Sequence, residues 1–381
     1  MHKENRKIKL AFVHDWFLQE GGAEQVAREI YALLAPFRPV VFCMLYNKNT
    51  LKELFQNKES MDVRASWLNK IPFAQTVYKS WLPLYPSAMN NLNLHPYELI
   101  ISSSHSAAKN FRKKPGTTHI CYCHTPSRYL WTLEKEYLQD YGLYRPLFST
   151  LTNKILERLR KWDLQGSKQV DLFVANSNNV AERIKNYYKR DTVVIYPPVD
   201  VDFFTPDEKK SDIPEDNLYY FTSSRDVPYK KLDLIIWTFN QMPEKKLVVA
   251  TQSNSVKRLL KISAKNVTII PMGNRLSYRS WLRNSKAYIF AAFEDFGISP
   301  VEAMACGIPV IALGKGGVLE TVKHGINGVY FKNQTVKSLT EAVEEFESIH
   351  FKSKVIRESV LHFSRKRFYE EFQKVLKPFL S

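Results

Sequence analysis

The sequence predicts an α/β fold with two domains, each a parallel β-sheet with helices on both faces. Short apolar segments alternate with amphipathic segments of helical spacing along the whole chain, which is the pattern of strands joined by crossover helices. Proline and charged residues interrupt this alternation at 196–198 and 206–216, after which it starts again. The 381 residues suit two domains of roughly 180 residues better than one compact core.

The first half predicts six strands and two helices. A strand runs up to His14, a glycine pair follows at Gly21 and Gly22, and a helix begins at Ala23 because Val26 and Ile30 share one face. The predicted strands are Lys9–His14, Val40–Leu45, Tyr97–Ser102, His119–Cys123, Asp171–Ala175 and Thr192–Ile195, and the predicted helices are Ala23–Leu34 and Val180–Tyr188.

The second half repeats the pattern. Its strands are Tyr219–Ser223, Lys246–Ala250, Val267–Pro271, Ala287–Ala291, Ile308–Ala312 and Val329–Phe331, and its helices are Leu232–Asn240, Pro300–Ala305 and Val336–Ser348. The remainder, Phe351–Leu380, is polar, aromatic and of helical spacing. We therefore expect domains at 1–195 and 196–355, with C-terminal helices at 356–381 that return to the first domain.

Composition indicates a globular, cytoplasmic protein. Hydrophobic residues make up 44% of the chain, yet no stretch reaches the roughly 18 consecutive apolar residues of a membrane-spanning helix. The charged N-terminus and the short apolar run behind it predict a first strand and not a signal peptide. Four scattered cysteines do not form a disulfide framework, which favours a reducing compartment.

The net charge of +17 favours partners that carry phosphate. A positive charge of this size attracts nucleotides, nucleic acid and the inner face of an anionic membrane alike. Lys109, Arg112, Lys113 and Lys114 form a basic cluster that predicts either a solvated face or a contact with a membrane or lipid diphosphate. No aromatic–basic recognition motif is present, so nucleic acid is not expected.

The strongest motif runs from Phe293 to Val310 and contains two glutamates eight positions apart, Glu294 and Glu302. Glu294 lies in a loop after a strand, and Pro300 suits the first turn of the following helix, where we also place Glu302. The free N–H groups of that turn and the helix dipole attract anions and hydroxyls. The two carboxylates can accept short hydrogen bonds from the diols of a sugar.

A second motif, from Ser224 to Asp233, places Arg225 and Lys230 in a loop that opens a helix. An arginine fork and a lysine point charge suit a diphosphate. The pair Gly21 and Gly22 comes after the first strand, where glycine lets the backbone approach a phosphate closely. His124 comes directly after a strand end, the place where open α/β sheets bind ligands.

Together these motifs resemble the family-4 retaining glycosyltransferases, which have the GT-B fold with two Rossmann-like domains facing across a cleft. The run containing Glu294 and Glu302 resembles the E-x7-E signature, and His124 with Pro126 resembles the H-x-P motif. The resemblance implies that the first domain binds the acceptor and the second binds a nucleotide diphosphate sugar. Ser224 and Asp226 depart from the family, which usually has glycine and an apolar residue there.

The resemblance also implies roles for single residues. Glu294 would contact the transferred sugar, Glu302 the ribose, Arg225 and Lys230 the pyrophosphate, and His124 the reaction centre. The full set of expected donor-binding residues is Gly21, Gly22, Arg225, Lys230, Gly273, Glu294, Phe296, Gly297, Ile298, Ser299 and Glu302. The catalytic residues would be His124, Glu294, Arg225 and Lys230, and the acceptor would meet Ser104, His105 and Arg128. The loop at 314–320 would border the nucleotide.

The predicted reaction is transfer of a hexose, with retention of configuration and without metal or cofactor, to a glycan or lipid-linked glycan. The segment Arg128–Trp131 resembles a subgroup rich in mannosyltransferases, which makes GDP-mannose the first choice and a UDP-sugar the alternative. The Asp200-Val201-Asp202 string is interpreted as structural, and Cys121 and Cys123 alternate along a strand, which does not favour zinc. A sugar-nucleotide epimerase, a glycosidase and a non-catalytic basic binding protein remain as alternatives.

Overall fold

The computed structural model describes residues 8–55, 61–132, 134, 149–206 and 218–380. The chain divides into two compact units, residues 1–196 with 369–381, and residues 197–368. Most of the predicted linker, 207–217, lies outside the described residues.

The first unit contains a seven-stranded parallel sheet with the strand order β3-β2-β1-β4-β5-β6-β7. The chain therefore builds outward from β1 in one direction and then, at β4, in the other, which is the doubly wound pattern. The strands are β1 Leu10–Phe17, β2 Val40–Tyr46, β3 Val63–Ala65, β4 Leu99–Ser104, β5 Thr118–Cys123, β6 Leu172–Ala175 and β7 Thr192–Val194.

The helices of the first unit cover both faces of this sheet, and several were not predicted. Those between β2 and β4 are short and lack a long apolar period, which is why the sequence did not reveal them. The helices are α1 Gly22–Leu34, α2 Lys48–Phe55, α3 Ala74–Val77, α4 Tyr85–Asn90, α5 Arg128–Trp131, α6 Ser149–Lys168 and α7 Asn178–Tyr188, with 3₁₀ turns at Ala35–Phe37, Trp67–Lys70 and Tyr78–Leu84.

The second unit repeats the doubly wound pattern with six parallel strands in the order β10-β9-β8-β11-β12-β13. The strands are β8 Tyr219–Ser223, β9 Leu247–Thr251, β10 Val267–Pro271, β11 Ser285–Phe290, β12 Val310–Leu313 and β13 Gly328–Phe331. The helices are α8 Leu232–Asn240, α9 Ser253–Leu260, α10 Arg275–Arg283, α11 Ile298–Ala305, α12 Val336–Glu347 and α13 Ser353–Glu358, with 3₁₀ turns at Pro228–Lys230, Gly317–Glu320 and Leu361–Phe363. The last helix, α14 Arg365–Leu380, begins in the second unit, and from residue 369 onward it belongs to the first. Both sheets confirm the predicted fold class.

Strand β1 continues through His14 and Asp15 to Phe17, so the predicted end at His14 is wrong. Both polar residues are fully buried. A buried carboxylate is stable only when its hydrogen bonds are made, and Asp15 accepts four backbone N–H bonds from residues 105–108. The strand can therefore extend because its polar end is satisfied by the loop after β4.

Lys109 also departs from the prediction, because it is buried and not part of a solvated basic face. Its Nζ lies 2.5 Å from Asp163 Oδ1 and 3.1 Å from the carbonyl oxygen of Ser106. Trp131 Nε1 and the Tyr188 hydroxyl also donate to Asp163, at 2.7 and 2.6 Å. The ion pair thus joins the loop after β4 to helices α5, α6 and α7.

Replacing Lys109 with methionine should lower the stability of the first unit by about 3 kcal/mol, because the Asp163 carboxylate then stays buried without its cation. Hydrogen exchange of the β5 and β6 amides measures this unit by itself. Lys113→Met is the matched control: its partner Asp171 is half exposed (51%), so its loss should be about 1 kcal/mol or less. Equal losses in the two variants would contradict the assignment.

Candidate functional site

The predicted site residues lie at the carboxyl ends of the strands in both units. Open α/β sheets bind ligands at this edge, at the point where the strand order reverses. In the first sheet that point lies between β1 and β4, and in the second between β8 and β11. The second unit holds the charged residues of the site, Arg225, Lys230, Glu294 and Glu302.

Lys230 and Glu294 form the centre of the second site. Lys230 ends the 3₁₀ turn after β8, Glu294 follows β11, and Lys230 Nζ lies 2.6 Å from Glu294 Oε1. Burial by itself would lower the pKa of Lys230, but the adjacent Glu294 carboxylate raises it above its ordinary value. The structure therefore brings together two residues, 64 positions apart, as a charged pair.

Arg225 lies in the same loop after β8 and is half-buried. The loop is held by its own backbone, since Val227 N donates to the Arg225 carbonyl at 3.0 Å, as does the Ser224 hydroxyl at 3.1 Å. Asp226, which departs from the family pattern, pairs with Arg258 on α9 through a 2.7 Å bond from Nε. The unusual aspartate therefore fixes this loop to the neighbouring helix.

Helix α11 begins at Ile298, directly after Gly297, whose φ of 88° lies in the left-handed region that favours glycine. The first turn contains Ser299 and Pro300, and its N–H groups have no partner within the helix. The helix starts two residues earlier than predicted, so Glu302 lies in its second turn and the predicted first-turn position is wrong. Phe296 is buried beside this turn.

Glu302 is held by a tyrosine that sequence reasoning missed. The hydroxyl of Tyr278, on α10, donates to Glu302 Oε2 at 3.1 Å. Burial first, and then the Glu302 charge, raise the pKa of Tyr278 well above its ordinary value. Tyr278 therefore remains a hydrogen-bond donor at neutral pH and fixes one oxygen of the carboxylate.

The glycine loop after β12 packs against the Glu294 loop. Gly317 N donates to the Glu294 carbonyl at 3.0 Å. A Cβ at Gly317 would lie 2.0 Å from the Asp295 carbonyl oxygen, and Gly316 has a φ of 77°. Only glycine permits this approach, so the loop supports the site residue Glu294 through its backbone.

Gly273 lies farther along the same edge, after β10, which is the outermost strand of the sheet. It is exposed, and a Cβ there would meet the Ser277 hydroxyl at 2.2 Å. The turn from Gly273 leads into α10, the helix that carries Tyr278. Gly273 is therefore connected to Glu302 through α10, by way of the Tyr278 hydrogen bond.

In the first unit, Gly21 and Gly22 form the start of α1 at the end of β1. Gly21 is extended, with a φ of −147°, and its carbonyl accepts the Gln25 N–H at 2.9 Å. Gly22 is exposed as the first helical residue. The pair thus presents helix N–H groups beside the switch point of the sheet.

His124 lies one residue after β5, and its Nε2 is 2.8 Å from the Ser103 hydroxyl on β4. The rings of His14 and His105 lie 6.4 and 6.2 Å from its ring. Burial, followed by the two neighbouring histidines, lowers the pKa of His124 well below its ordinary value. The structure thus places the imidazoles of His14 and His105 around a neutral His124.

Asp15 organises the loop that carries the predicted acceptor residues. Its carboxylate accepts the N–H groups of residues 105–108 at 2.5 to 3.1 Å, and His105 Nδ1 lies 3.0 Å from Oδ2. Ser104 is buried directly before this loop. Sequence reasoning missed His14 and Asp15, although two ionisable residues inside an apolar strand were a visible signal.

Arg128 is the first residue of α5 and is half-buried. The preceding residue, Ser127, donates from its hydroxyl to the Ser106 carbonyl at 3.0 Å. The Ser106 hydroxyl in turn lies 2.9 Å from the Tyr129 hydroxyl. Arg128 is therefore tied to the same loop as His105.

Asp200 has a structural environment. Its Oδ2 lies 2.8 Å from Arg275 and 3.1 Å from Arg365.

All four cysteines are buried and free. Within the described ranges, no group of three His, Cys, Asp or Glu side chains has the arrangement of a metal site. The described helices include none with the length and apolarity needed to cross a membrane.

Two family models match adjoining parts of the chain. Glycosyltransferase Family 4 matches residues 20–203, and Glycosyl transferases group 1 matches residues 203–359. Together they cover nearly all of both units. The chain belongs to the family-4-type glycosyltransferases. Within this family type, the group 1 model covers the Lys230–Glu294 pair and the Family 4 model covers His124.

The curated relatives are distant. The D-inositol 3-phosphate glycosyltransferases of Mycobacterium leprae and Mycobacterium tuberculosis are 25% and 26% identical over 197 and 196 residues, 46% of this chain. The matches cover 46% and 41% of those proteins, so the chain spans about half the length of the curated relatives it matches.

Solved structures show the same GT-B fold along the chain. HepE of Anabaena, in complex with UDP-glucose, has a TM-score of 0.68 at 17% identity, covering 97% of this chain and 99% of HepE. Sucrose-phosphate synthase of Thermosynechococcus elongatus has a TM-score of 0.73 at 15% identity, with coverage of 97% and 99%. At this identity the likeness establishes the fold alone.

Replacing Gly317 with alanine should destabilise the second unit by about 2 kcal/mol, because the new Cβ overlaps the Asp295 carbonyl and displaces the Glu294 loop. Denaturant unfolding followed by hydrogen exchange of the β11 and β12 amides would measure the loss. Gly314→Ala serves as the control, since its Cβ would meet the Tyr330 side chain at 3.2 Å and come no nearer to backbone than 3.6 Å, at the Phe331 carbonyl oxygen. A Gly317 variant as stable as the Gly314 variant would refute the packing argument.

Proposed function

We propose that the protein transfers a hexose from a nucleotide diphosphate sugar to a hydroxyl group of a glycan or lipid-linked glycan, with retention of configuration. The observation that carries this proposal is the Lys230–Glu294 pair at the switch point of the second sheet. Arg225 and the start of helix α11 lie on the same edge. A cation, a carboxylate and free helix N–H groups together suit a ligand with both phosphates and hydroxyls.

The phosphates of the donor would be bound by Arg225 and Lys230. Lys230 is charged and mostly buried, so its attraction for a diphosphate is screened little by solvent. Charge on the diphosphate grows as the bond to the sugar breaks, and cations already in place stabilise that growing charge. These two side chains supply the positive charge of the leaving-group site, and the reaction as proposed uses no metal.

The hydroxyls of the donor would be bound by the carboxylates. Glu294 would accept hydrogen bonds from the sugar, and Glu302, fixed by Tyr278, would accept those of the ribose. The backbone N–H groups of Phe296, Gly297 and Ile298 would bind sugar or phosphate oxygens. Ser299 lies in the same turn, and Gly273 would border the nucleotide on the side of α10.

Residues of the first domain would complete the reaction centre, as the family resemblance implies. His124 would contact the donor sugar, and the Gly21–Gly22 turn would approach its phosphate. Ser104, His105 and Arg128 would meet the acceptor: Ser104 ends β4, His105 begins the loop after it, and Ser127, next to Arg128, bonds to that loop. The leaving phosphate would take the acceptor proton, since in a retaining transfer it lies on the same face as the incoming hydroxyl.

Two donors are proposed for testing. GDP-mannose follows from the Arg128–Trp131 segment and its resemblance to mannosyltransferases. UDP-glucose is favoured by the HepE complex, whose fold matches 97% of this chain. The reaction would take place in the cytoplasm, and the net charge of +17 would favour the inner face of an anionic membrane as a partner surface.

A thermal-shift panel with GDP, UDP, ADP and their sugar conjugates, run in EDTA, tests the proposal. One diphosphate at about 100 times its Kd should stabilise the protein by about 2.7 kcal/mol. Arg225→Ala and Lys230→Met should abolish the shift, whereas Lys257→Ala, an exposed lysine of the same unit, should retain it. The conjugate that binds is then tested for sugar transfer.

The outcomes separate the alternatives. No shift with any nucleotide, in folded and monodisperse protein, would leave a basic binding protein. A shift followed by epimerisation of the conjugate without an acceptor would indicate an epimerase.

Tyr278→Phe should weaken binding of a ribonucleoside diphosphate about fivefold, because Glu302 loses the hydrogen bond that fixes it against the ribose. The 2′,3′-dideoxy analogue should bind the variant and the wild type equally, since it lacks the ribose hydroxyls. Calorimetry measures both. Tyr219→Phe is the control, because its hydroxyl donates to the Trp281 carbonyl and not to a carboxylate. Equal weakening for both nucleotides would show that Tyr278 only stabilises the fold.

A further inference from the structure

Strand β4 carries two serine–histidine pairs at successive positions. The Ser102 hydroxyl lies 2.8 Å from His119 Nε2, and the Ser103 hydroxyl lies 2.8 Å from His124 Nε2. Successive residues of a strand point to opposite faces of the sheet. The two pairs therefore have the same chemistry on opposite faces, and only the Ser103 pair involves a residue of the candidate site.

A third residue, His14 on β1, determines which member of the Ser103–His124 pair donates the hydrogen bond. His14 Nδ1 lies 2.9 Å from the Ser103 carbonyl oxygen and 3.2 Å from its hydroxyl oxygen. A carbonyl oxygen only accepts hydrogen bonds, so Nδ1 of His14 must carry the proton and donate. The same N–H points at the Ser103 hydroxyl oxygen, which is thereby used as an acceptor on that side.

The Ser103 hydroxyl must then direct its own proton elsewhere. Among the described residues its remaining hydrogen-bond partner is His124 Nε2. An imidazole nitrogen that accepts a proton donor is unprotonated, so a neutral His124 must carry its proton on Nδ1. The chain of donors thus runs from His14 through Ser103 to His124.

The two imidazole rings are neutral because they are buried. Burial lowers the pKa of His14 to about 3, although Asp15 opposes the shift. Burial also lowers the pKa of His124 well below its ordinary value, and the charges of His105 and His14 add to that effect. Near pH 7 each ring therefore has a single N–H, and its position decides what the ring can bind.

We propose that Ser103 and His14 are positioning residues that hold His124 in its Nδ1–H tautomer, so that His124 presents an N–H donor to an oxygen of the donor sugar. The hydrogen bonds that His124 makes within the described part of the chain use its backbone N–H and its Nε2, and none of them uses Nδ1. The tautomer follows from the hydrogen-bond geometry of two buried, neutral rings, whereas its use for the sugar rests on the proposed function.

The tautomer is tested on the full-length protein labelled with ¹⁵N-histidine, by long-range ¹H–¹⁵N NMR near pH 7, with His124→Gln used for assignment. We expect His124 to show a protonated Nδ1 and an unprotonated Nε2. Ser103→Ala should shift His124 toward a mixture of tautomers and leave the His119 signals unchanged, which also reports a folded protein. Ser102→Ala should change the His119 signals and leave those of His124 unchanged. Ser103→Thr, which keeps the hydroxyl, should give the wild-type His124 signals. A protonated Nε2 in wild-type His124 would overturn the proposal.

Binding then tests the use of the tautomer. Calorimetry compares UDP-glucose with UDP, and GDP-mannose with GDP, in wild type, Ser103→Ala and Ser102→Ala. Ser103→Ala should weaken binding of the sugar conjugate about tenfold and leave the bare diphosphate unchanged, because His124 would touch only the sugar. Ser102→Ala should change neither.

The role of the tautomer in sugar binding and the proposed function are contradicted by different results. Equal affinities of wild type and Ser103→Ala for the conjugate, with the diphosphate still bound, would overturn the role of the tautomer in sugar binding. If neither diphosphate binds the wild type, the proposed function fails, while the NMR result still decides the tautomer.

Discussion

The arrangement of the first unit depends on the hydrogen bonds of one buried carboxylate. Asp15 lies fully buried at the end of β1 and accepts four successive N–H groups from residues 105–108. A buried carboxylate without partners would cost several kcal/mol, so strand and loop can exist only together. From that loop, Ser106 holds the segment of Arg128, and Lys109 holds Asp163. One constraint at a strand end thus fixes the loop after β4 and the start of α5.

In the second unit, the carboxylate of Glu294 is compensated by a full positive charge. Lys230 and Glu294 neutralise each other, and the glycines of the 314–317 loop let its backbone reach the Glu294 carbonyl. The two candidate sites therefore differ in kind: the first is built from neutral imidazoles and backbone dipoles, the second from an ion pair and a helix start. Under the proposed function this difference is useful, because a diphosphate needs fixed cations, while the sugar would meet both the Glu294 carboxylate and the neutral His124.

The sequence was sufficient for features that are local. The strand–loop–helix run around Glu294 and Glu302 is contiguous, and its prolines and glycines indicate where the helix begins, to within two residues. Contacts between distant residues were not predictable. His14 meets Ser103, 89 positions away, and Lys109 meets Asp163, 54 positions away. No spacing rule connects such residues, which is why the sequence predicts a surface position for Lys109 and a strand end at His14.

The difference between local features and contacts of distant residues explains why the motifs identify the family type more readily than the sugar. Phosphates and ribose are common to every nucleotide diphosphate sugar, and the groups proposed to bind them lie on short contiguous loops. His124 is one of the side chains proposed to contact the sugar. Its hydrogen-bonding character is decided by Ser103 and His14, which belong to two other strands. Whether His124 donates or accepts at Nδ1 is therefore a property of the folded sheet. Under this proposal, a relative with the same H-x-P motif but no hydroxyl at the Ser103 position would lack the hydrogen bond that selects the tautomer of His124.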